Sequence, residues 1–276
     1  MSARDPGEVF FPDPFPQPWA SDWGEDDEYG LWMALTLADV RQVFRWIAPG
    51  RFLMGSPADE PQRYDDEAQH EVTLSRGYWL ADTACTQALW QAVMGENPSG
   101  FKDDARNPVE SVSWEDVQGF IGELERRLPG LSARLPSEAE WEYACRAGTT
   151  GPFSFGEALT PERVNYNGNY PYAGGKKGQY RAKTVPVASL PANAWGLYEM
   201  HGNVYEWCAD WYGAYPGEPQ VDPQGPPSGD SRVVRGGSWG SDGGGVRSAR
   251  RFANGPGRRD QNVGFRLALG HQPAGR

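Results

Sequence analysis

An α+β domain of small antiparallel sheets, two to three helices and much irregular loop is the architecture this sequence predicts. Three observations carry that expectation. Gly 35 and Pro 24 in 276 residues favour turns and argue against long helices. Short β-branched and aromatic runs bounded by Gly, Pro and Asp read as brief strands. Three stretches also carry helical spacing behind side chains able to cap a helix.

Taken in order, residues 1–28 are rich in Pro, aromatics and acids. Phe10-Phe11-Pro12-Asp13-Pro14-Phe15-Pro16 sustains neither helix nor central strand, so an extended Pro/aromatic arm is expected there, with the domain proper at 29–270. From Leu31 the pattern becomes strand-like. Val43-Phe44-Arg45-Trp46-Ile47 runs into Pro49-Gly50-Arg51-Phe52-Leu53-Met54-Gly55-Ser56, and Val72-Thr73-Leu74 and Tyr78-Trp79-Leu80-Ala81 read as further short strands. A helix follows over Thr86 to Met94, stopped by Gly95. A second starts at Ser113 as N-cap, with Val117, Phe120, Ile121, Leu124 and Leu128 as its apolar stripe. The third opens on the capping box Ser137-Glu138-Ala139-Glu140 and ends at Gly148.

Composition narrows the function. The apolar fraction is 38%, and 12 Trp, 12 Tyr and 11 Phe supply the buried area a core needs. A net charge of −11 opposes general nucleic-acid binding, which depends on clustered cations. The local exception is Arg247, Arg250, Arg251, Arg258, Arg259 and Arg266, which read either as a basic face or as structural cations paired with carbonyls and carboxylates. Cys85, Cys145 and Cys208 are widely spaced, without a CxxC pair, and read as buried free thiols. The three histidines lack ligand spacing. No charged n-region followed by an apolar stretch is visible, and no run approaches ~18 consecutive apolar residues, so no membrane span is expected. The default location is cytoplasmic, with surface display by another route left open.

Four motifs are specific. They are Leu135-Pro136-Ser137-Glu138-Ala139-Glu140-Trp141-Glu142-Tyr143, Gly196-Leu197-Tyr198-Glu199-Met200-His201-Gly202-Asn203-Val204-Tyr205-Glu206-Trp207, Arg235-Gly236-Gly237-Ser238-Trp239 and Val263-Gly264-Phe265-Arg266. With them the chain, from about Arg41 to Leu269, resembles the formylglycine-generating-enzyme (sulfatase-modifying-factor) family. The resemblance implies a C-type-lectin-like fold of the formylglycine-generating-enzyme type. Enzymes of that family oxidise a substrate cysteine with copper held between two thiolates. This chain places Ser241 and Val246 where the working cysteine pair would align, so neither copper nor catalysis is expected: a hydroxyl or an alkyl group cannot replace a thiolate. The helical bundle of metal-binding histidines that the sulfoxide-synthase branch requires is likewise not furnished by three scattered histidines.

The resemblance also implies a structural Ca²⁺. Glu199, Gly202, Val204 and Glu206 fall on the family's calcium positions, and carboxylates and carbonyls at i, i+3, i+5 and i+7 suit an all-oxygen cage. The other reading has Glu206 accepting backbone N–H groups without metal. A second family site involves Asn165, the Tyr166 carbonyl and groups near Gln179.

Between the frame residues Trp239, Arg247, Ser248, Ala249, Arg251, Pro256, Arg259 and Val263 lies an irregular filling. It comprises Gly240, Ser241, Asp242, Gly244, Gly245, Arg250, Phe252, Ala253, Asn254, Gly255, Gly257, Arg258, Asp260 and Asn262. Family relatives tend to place Asn at many of these positions. Gly, Ser, Asp, Arg, Phe and Ala can each be reached from an Asn codon by changing its two adenines alone, whereas Gln261 cannot. The segment resembles the variable proteins of diversity-generating retroelements. That resemblance implies a non-catalytic display protein whose variable region, 240–262, binds an unidentified protein or other macromolecular ligand. A copper-dependent formylglycine-generating oxidase and a fixed non-catalytic family member are the alternatives. Trp239 is expected to be buried as part of the frame.

Overall fold

The computed structural model describes residues 12–270. Its chain order is β1 (Asp22–Asp26), β2 (Gly30–Leu37), β3 (Val40–Ile47), β4 (Gly50–Met54), β5 (His70–Leu74), β6 (Tyr78–Ala81), α1 (Gln87–Met94), α2 (Trp114–Arg127), β7 (Ala133–Arg134), α3 (Glu138–Arg146), β8 (Tyr205–Trp211), β9 (Gln220–Val221), β10 (Arg232–Arg235), β11 (Arg251–Asn254), β12 (Val263–Gly264) and β13 (Ala268–Leu269). Three sheets result, in the orders β1-β2-β3-β6-β13-β7, β11-β10-β8-β12 and β4-β5-β9. Most neighbours are antiparallel, while β12 runs parallel to β8 and β9 parallel to β5. Long loops join these elements, as the Gly and Pro content requires. No helix of the described residues is long and apolar enough to cross a membrane.

Each helix starts where its cap predicts. The Thr86 side chain accepts from Leu89 N–H ahead of α1, and Gly95 closes that helix in the left-handed region. Ser113 with Asp116, and Ser137 with Glu140, form complete capping boxes for α2 and α3. On α2 the inward face is Val117, Phe120 and Leu124, with Ile121 and Leu128 half-buried at its margin. The first core lies between α1, α2 and the six-stranded sheet, where Trp90 stacks on Phe120 and meets Phe265 edge-on. A second core packs α3 between β5, β6 and β8.

The sheet begins earlier than the sequence division at 28/29. Strand β1 pairs with β2 from Asp22↔Ala34 to Asp26↔Gly30, so that division cuts a hairpin. The strand is acidic because it is an edge, and charge on an edge discourages further pairing while obscuring the hydrophobic alternation. Ahead of it, Phe15 stacks on Trp79 at 6.0 Å and Trp19 meets Phe44 at 5.9 Å, so the described part of the Pro/aromatic arm packs on the core. Residues 1–11 of the expected arm lie outside the described residues.

Candidate ligand-binding face

Four buried arginines fix the C-terminal segment, each answered by a carboxylate. Arg235 bonds Glu142 and the carbonyls of Ser248, Ala249 and Arg250. Arg247 reaches Glu60 at 2.5 Å and Glu67 at 2.7 Å. Arg251 makes a bidentate pair with Glu138 at 2.6 and 2.9 Å, and Arg266 another with Glu206 at 2.7 and 2.7 Å. Planar guanidinium forks suit this bidentate geometry. Three of the partners sit on buried elements that the core orients: Glu138 and Glu142 on α3, and Glu206 on β8. Against the burial that would raise it, the charges of Arg251 and Arg235 hold the Glu138 carboxyl below its usual range. Of the six clustered arginines, Arg247, Arg251 and Arg266 are therefore structural, Arg250 is intermediate, and Arg258 and Arg259 are exposed.

The filling between these anchors divides by exposure. Gly240, Asp242, Phe252, Gly257 and Arg258 are exposed, with Phe252 at 43%, and Ser241, Gly245, Arg250, Ala253, Asn254, Gly255, Asp260 and Asn262 are half-buried. Gly244 is buried against Gln62 and does not belong to a surface, which corrects its place in the variable set. It lies in the short 3₁₀ turn Gly244–Val246, tucked inward by the adjacent Arg247 anchor. Strand β11 is the outer strand of its sheet; Arg250 directly precedes it and Phe252 is its second residue, on either side of Arg251. The Arg250 guanidinium lies 3.7 Å from the Tyr64 ring centroid and 5.9 Å from that of Phe252, and Phe252 meets Tyr205 at 5.6 Å. Arg258 and Arg259 pair with Asp260 and Asp116, each at 2.6 Å.

Trp239 departs from the expectation of burial. Its ring is half-exposed between Phe101, edge-on at 5.5 Å, and Tyr180, stacked at 6.4 Å, while its Nε1 donates to the Gln261 carbonyl. The Gly-Gly-Ser turn before it is what the interior holds: Gly236, Gly237 and Ser238 are buried.

At the two positions where the sequence reading expects the cysteine pair stand a hydroxyl and an alkyl group. Ser241 Oγ accepts from Ser238 N–H at 3.0 Å and meets Tyr205 Oη at 3.2 Å. Val246 is wholly buried with Phe153, Val164, Tyr166 and Tyr172. All three cysteines are buried and free, and burial pushes the Cys145 thiol up to about 12, away from a reactive thiolate. A Ser–His contact invisible in the sequence does form: Ser154 Oγ lies 3.1 Å from His201 Nε2. His201 Nδ1 faces the Val246 carbonyl at 2.8 Å, the Ser154 N–H shares Nε2, and burial lowers the imidazole to about 4. The imidazole thereby ties the loop at Ser154 to the 3₁₀ turn at Val246.

The residues implied for calcium do not fit a cage. Glu199 spends its carboxylate on the N–H groups of Ala188, Ser189 and Leu190 at 3.0, 3.2 and 3.1 Å. Glu206 accepts the Arg266 fork and the Trp141 indole N–H at 2.7 Å, rather than backbone amides or an ion. A cation beside Glu206 would meet the Arg266 charge. In the second group, Asn165 Oδ1 is buried without a hydrogen-bond partner, while its Nδ2 donates to the Lys183 carbonyl and Asn203. A single neutral amide oxygen supplies little charge for such an ion.

The sulfatase-modifying factor enzyme 1-like domain matches residues 40–270. A serine/threonine-protein kinase pkn1 of Chlamydia caviae is 38% identical over 171 residues, 60% of this chain and 24% of that protein. A formylglycine-generating enzyme of Streptomyces coelicolor is 38% identical over 216 residues, 72% of this chain and 66% of the enzyme. The chain thus spans a quarter to two thirds of the curated relatives it matches. Among solved structures, Treponema denticola variable protein 1 superimposes with a TM-score of 0.72 at 30% identity, covering 88% of this chain and 99% of its own.

Proposed function

Since the chain belongs to the sulfatase-modifying-factor family, we propose that it is a member that has exchanged copper chemistry for ligand binding, displaying a diversified surface at 240–262. The observation that carries this reading is the division within that segment. Arg235, Arg247, Arg251 and Arg266 are each bound to a buried carboxylate, whereas Phe252, Arg258, Asp242 and the glycines at 240, 255 and 257 occupy positions where side chains can change without touching the core. The likeness to a protein named for its variability supports the same reading. Diversification by a retroelement would act on those positions, and the ligand would be a protein or other macromolecule.

The enzymatic alternative requires thiolates at 241 and 246, which are Ser and Val. Incubating the protein with copper(I), oxygen and a cysteine-containing peptide should yield no formylglycine. Turnover above the protein-free control would return the chain to the catalytic branch.

A further inference from the structure

We propose that Tyr64 and Tyr180, outside the positions read as variable, are constant contact residues through which this face grips folded protein partners whatever side chains the variable positions carry. The proposal rests on the binding function above. Tyr64 is 47% exposed and Tyr180 37%, and both join the segment through an unbroken series of contacts. Tyr64 stacks on Arg250, Arg250 reaches Phe252, and Phe252 meets Tyr205, whose hydroxyl touches Ser241. On the other side the Ser241 carbonyl accepts from Asn167 N–H at 2.9 Å, Asn167 bridges to Tyr180, and Tyr180 stacks on Trp239.

Neither tyrosine is positioned by a variable side chain alone. The loop carrying Tyr64 is fastened by frame arginines, with Arg247 bonding Glu60, the Gln62 carbonyl and Glu67, and Arg251 bonding the Asp66 carbonyl at 3.1 Å. Around Tyr180 the ties are main-chain: Gly178 N–H donates to the Gly168 carbonyl, and Asn167 holds the segment through the Ser241 backbone. Changes at 240, 242, 252, 255, 257 and 258 leave these ties intact, while Arg250, which stacks on Tyr64, is kept.

Charge and composition point to a protein. Arg258 and Arg259 are paired with Asp260 and Asp116, and Arg250 has Asp66 at 3.9 Å, so these arginines present no unopposed field to a polyanion. What remains is Tyr, Trp, Phe and Arg, the residue types that dominate binding energy at protein interfaces.

The test displays the full chain on yeast, randomised at 240, 242, 252, 255, 257 and 258, and selects it in parallel on lysozyme, on albumin and on dextran. The expected result is binders to both proteins that lose affinity by about tenfold or more with Tyr64→Ala or Tyr180→Ala. Trp23→Ala, 52% exposed on β1, should change affinity by less than about twofold. Melting temperature, measured on each variant, should stay within a few degrees. Protein binders indifferent to both tyrosines overturn the constant-contact proposal while sparing the binding function. Enrichment on dextran alone overturns the protein assignment. A library that binds none of the three removes the binding function itself.

Discussion

Phe252 and Arg247 lie five residues apart and are predicted to behave oppositely. Phe252 projects from an outer strand and meets Tyr205 and Arg250, so Phe252→Ala should weaken ligand binding and leave the melting temperature nearly unchanged. Arg247 is fully buried between Glu60 and Glu67, and Arg247→Met would strand two carboxylates. The expected loss is about 3–5 kcal/mol, the penalty for breaking a buried ion pair on one side, measured by denaturant titration. A loss below about 1 kcal/mol would show the pairs to be incidental. Trp239 belongs between these cases. Half-exposed, it should cost clearly less on truncation than Trp207, which is wholly buried and donates to the Val112 carbonyl.

At the scale of elements, the glycines of the segment separate into scaffold and open positions. A Cβ at Gly255 meets nothing within 4 Å, and one at Gly240 meets only Ser238 Oγ at 3.9 Å. A Cβ at Gly243 would lie 2.3 Å from the Tyr172 backbone nitrogen. Gly255→Tyr should therefore fold with an unchanged melting temperature, while Gly243→Ala should lower it markedly; equal effects would refute the division. Helices were the most legible elements in the sequence, because caps at Ser113, Ser137 and Thr86 and the stop at Gly95 are local signals. Strand β11 was not legible, because Arg251 and Asn254 bound its short apolar run and the sequence reads that stretch as irregular filling. Unreadable were the depth of Gly244, the exposure of Trp239 and the placement of Tyr64 and Tyr180 beside the segment. Each depends on loops more than 50 residues apart that only tertiary pairing brings together. The partner of Glu206 was hidden for the same reason, since Arg266, sixty residues downstream, occupies that carboxylate.

Over the whole molecule, buried acids should set the response to pH. Asp210 is raised to about 8 by burial and then by the neighbouring Glu138, and burial raises Glu199 to about 7. Their ordinary values are 3.8 and 4.5, so between those values and 7–8 the folded chain holds protons that the unfolded chain has released. Their contribution to stability is full below about pH 4 and is lost as pH rises through about 8. His201, depressed to about 4, acts oppositely and loses its contribution as pH falls from 6.5 toward 4. Asp210→Asn, which keeps an oxygen for the Glu138 N–H, should flatten the decline in melting temperature between pH 6 and 9; an identical slope would show that Asp210 does not titrate in that range. Chelation with EDTA should leave the melting temperature unchanged, because both implied calcium carboxylates are already engaged by the protein. A fall of several degrees would restore the metal.

Under the proposed function the surface at 240–262 is diversified while its arginine-pinned frame is not. Sequencing the DNA around the gene tests it most directly. The account predicts a second copy of these codons that differs only where adenine stands, beside a reverse-transcriptase gene, with the codons for Arg247 and Arg251 matching in both copies. Its absence, or a copy that differs equally at frame codons, would contradict diversification and leave a fixed, non-catalytic relative.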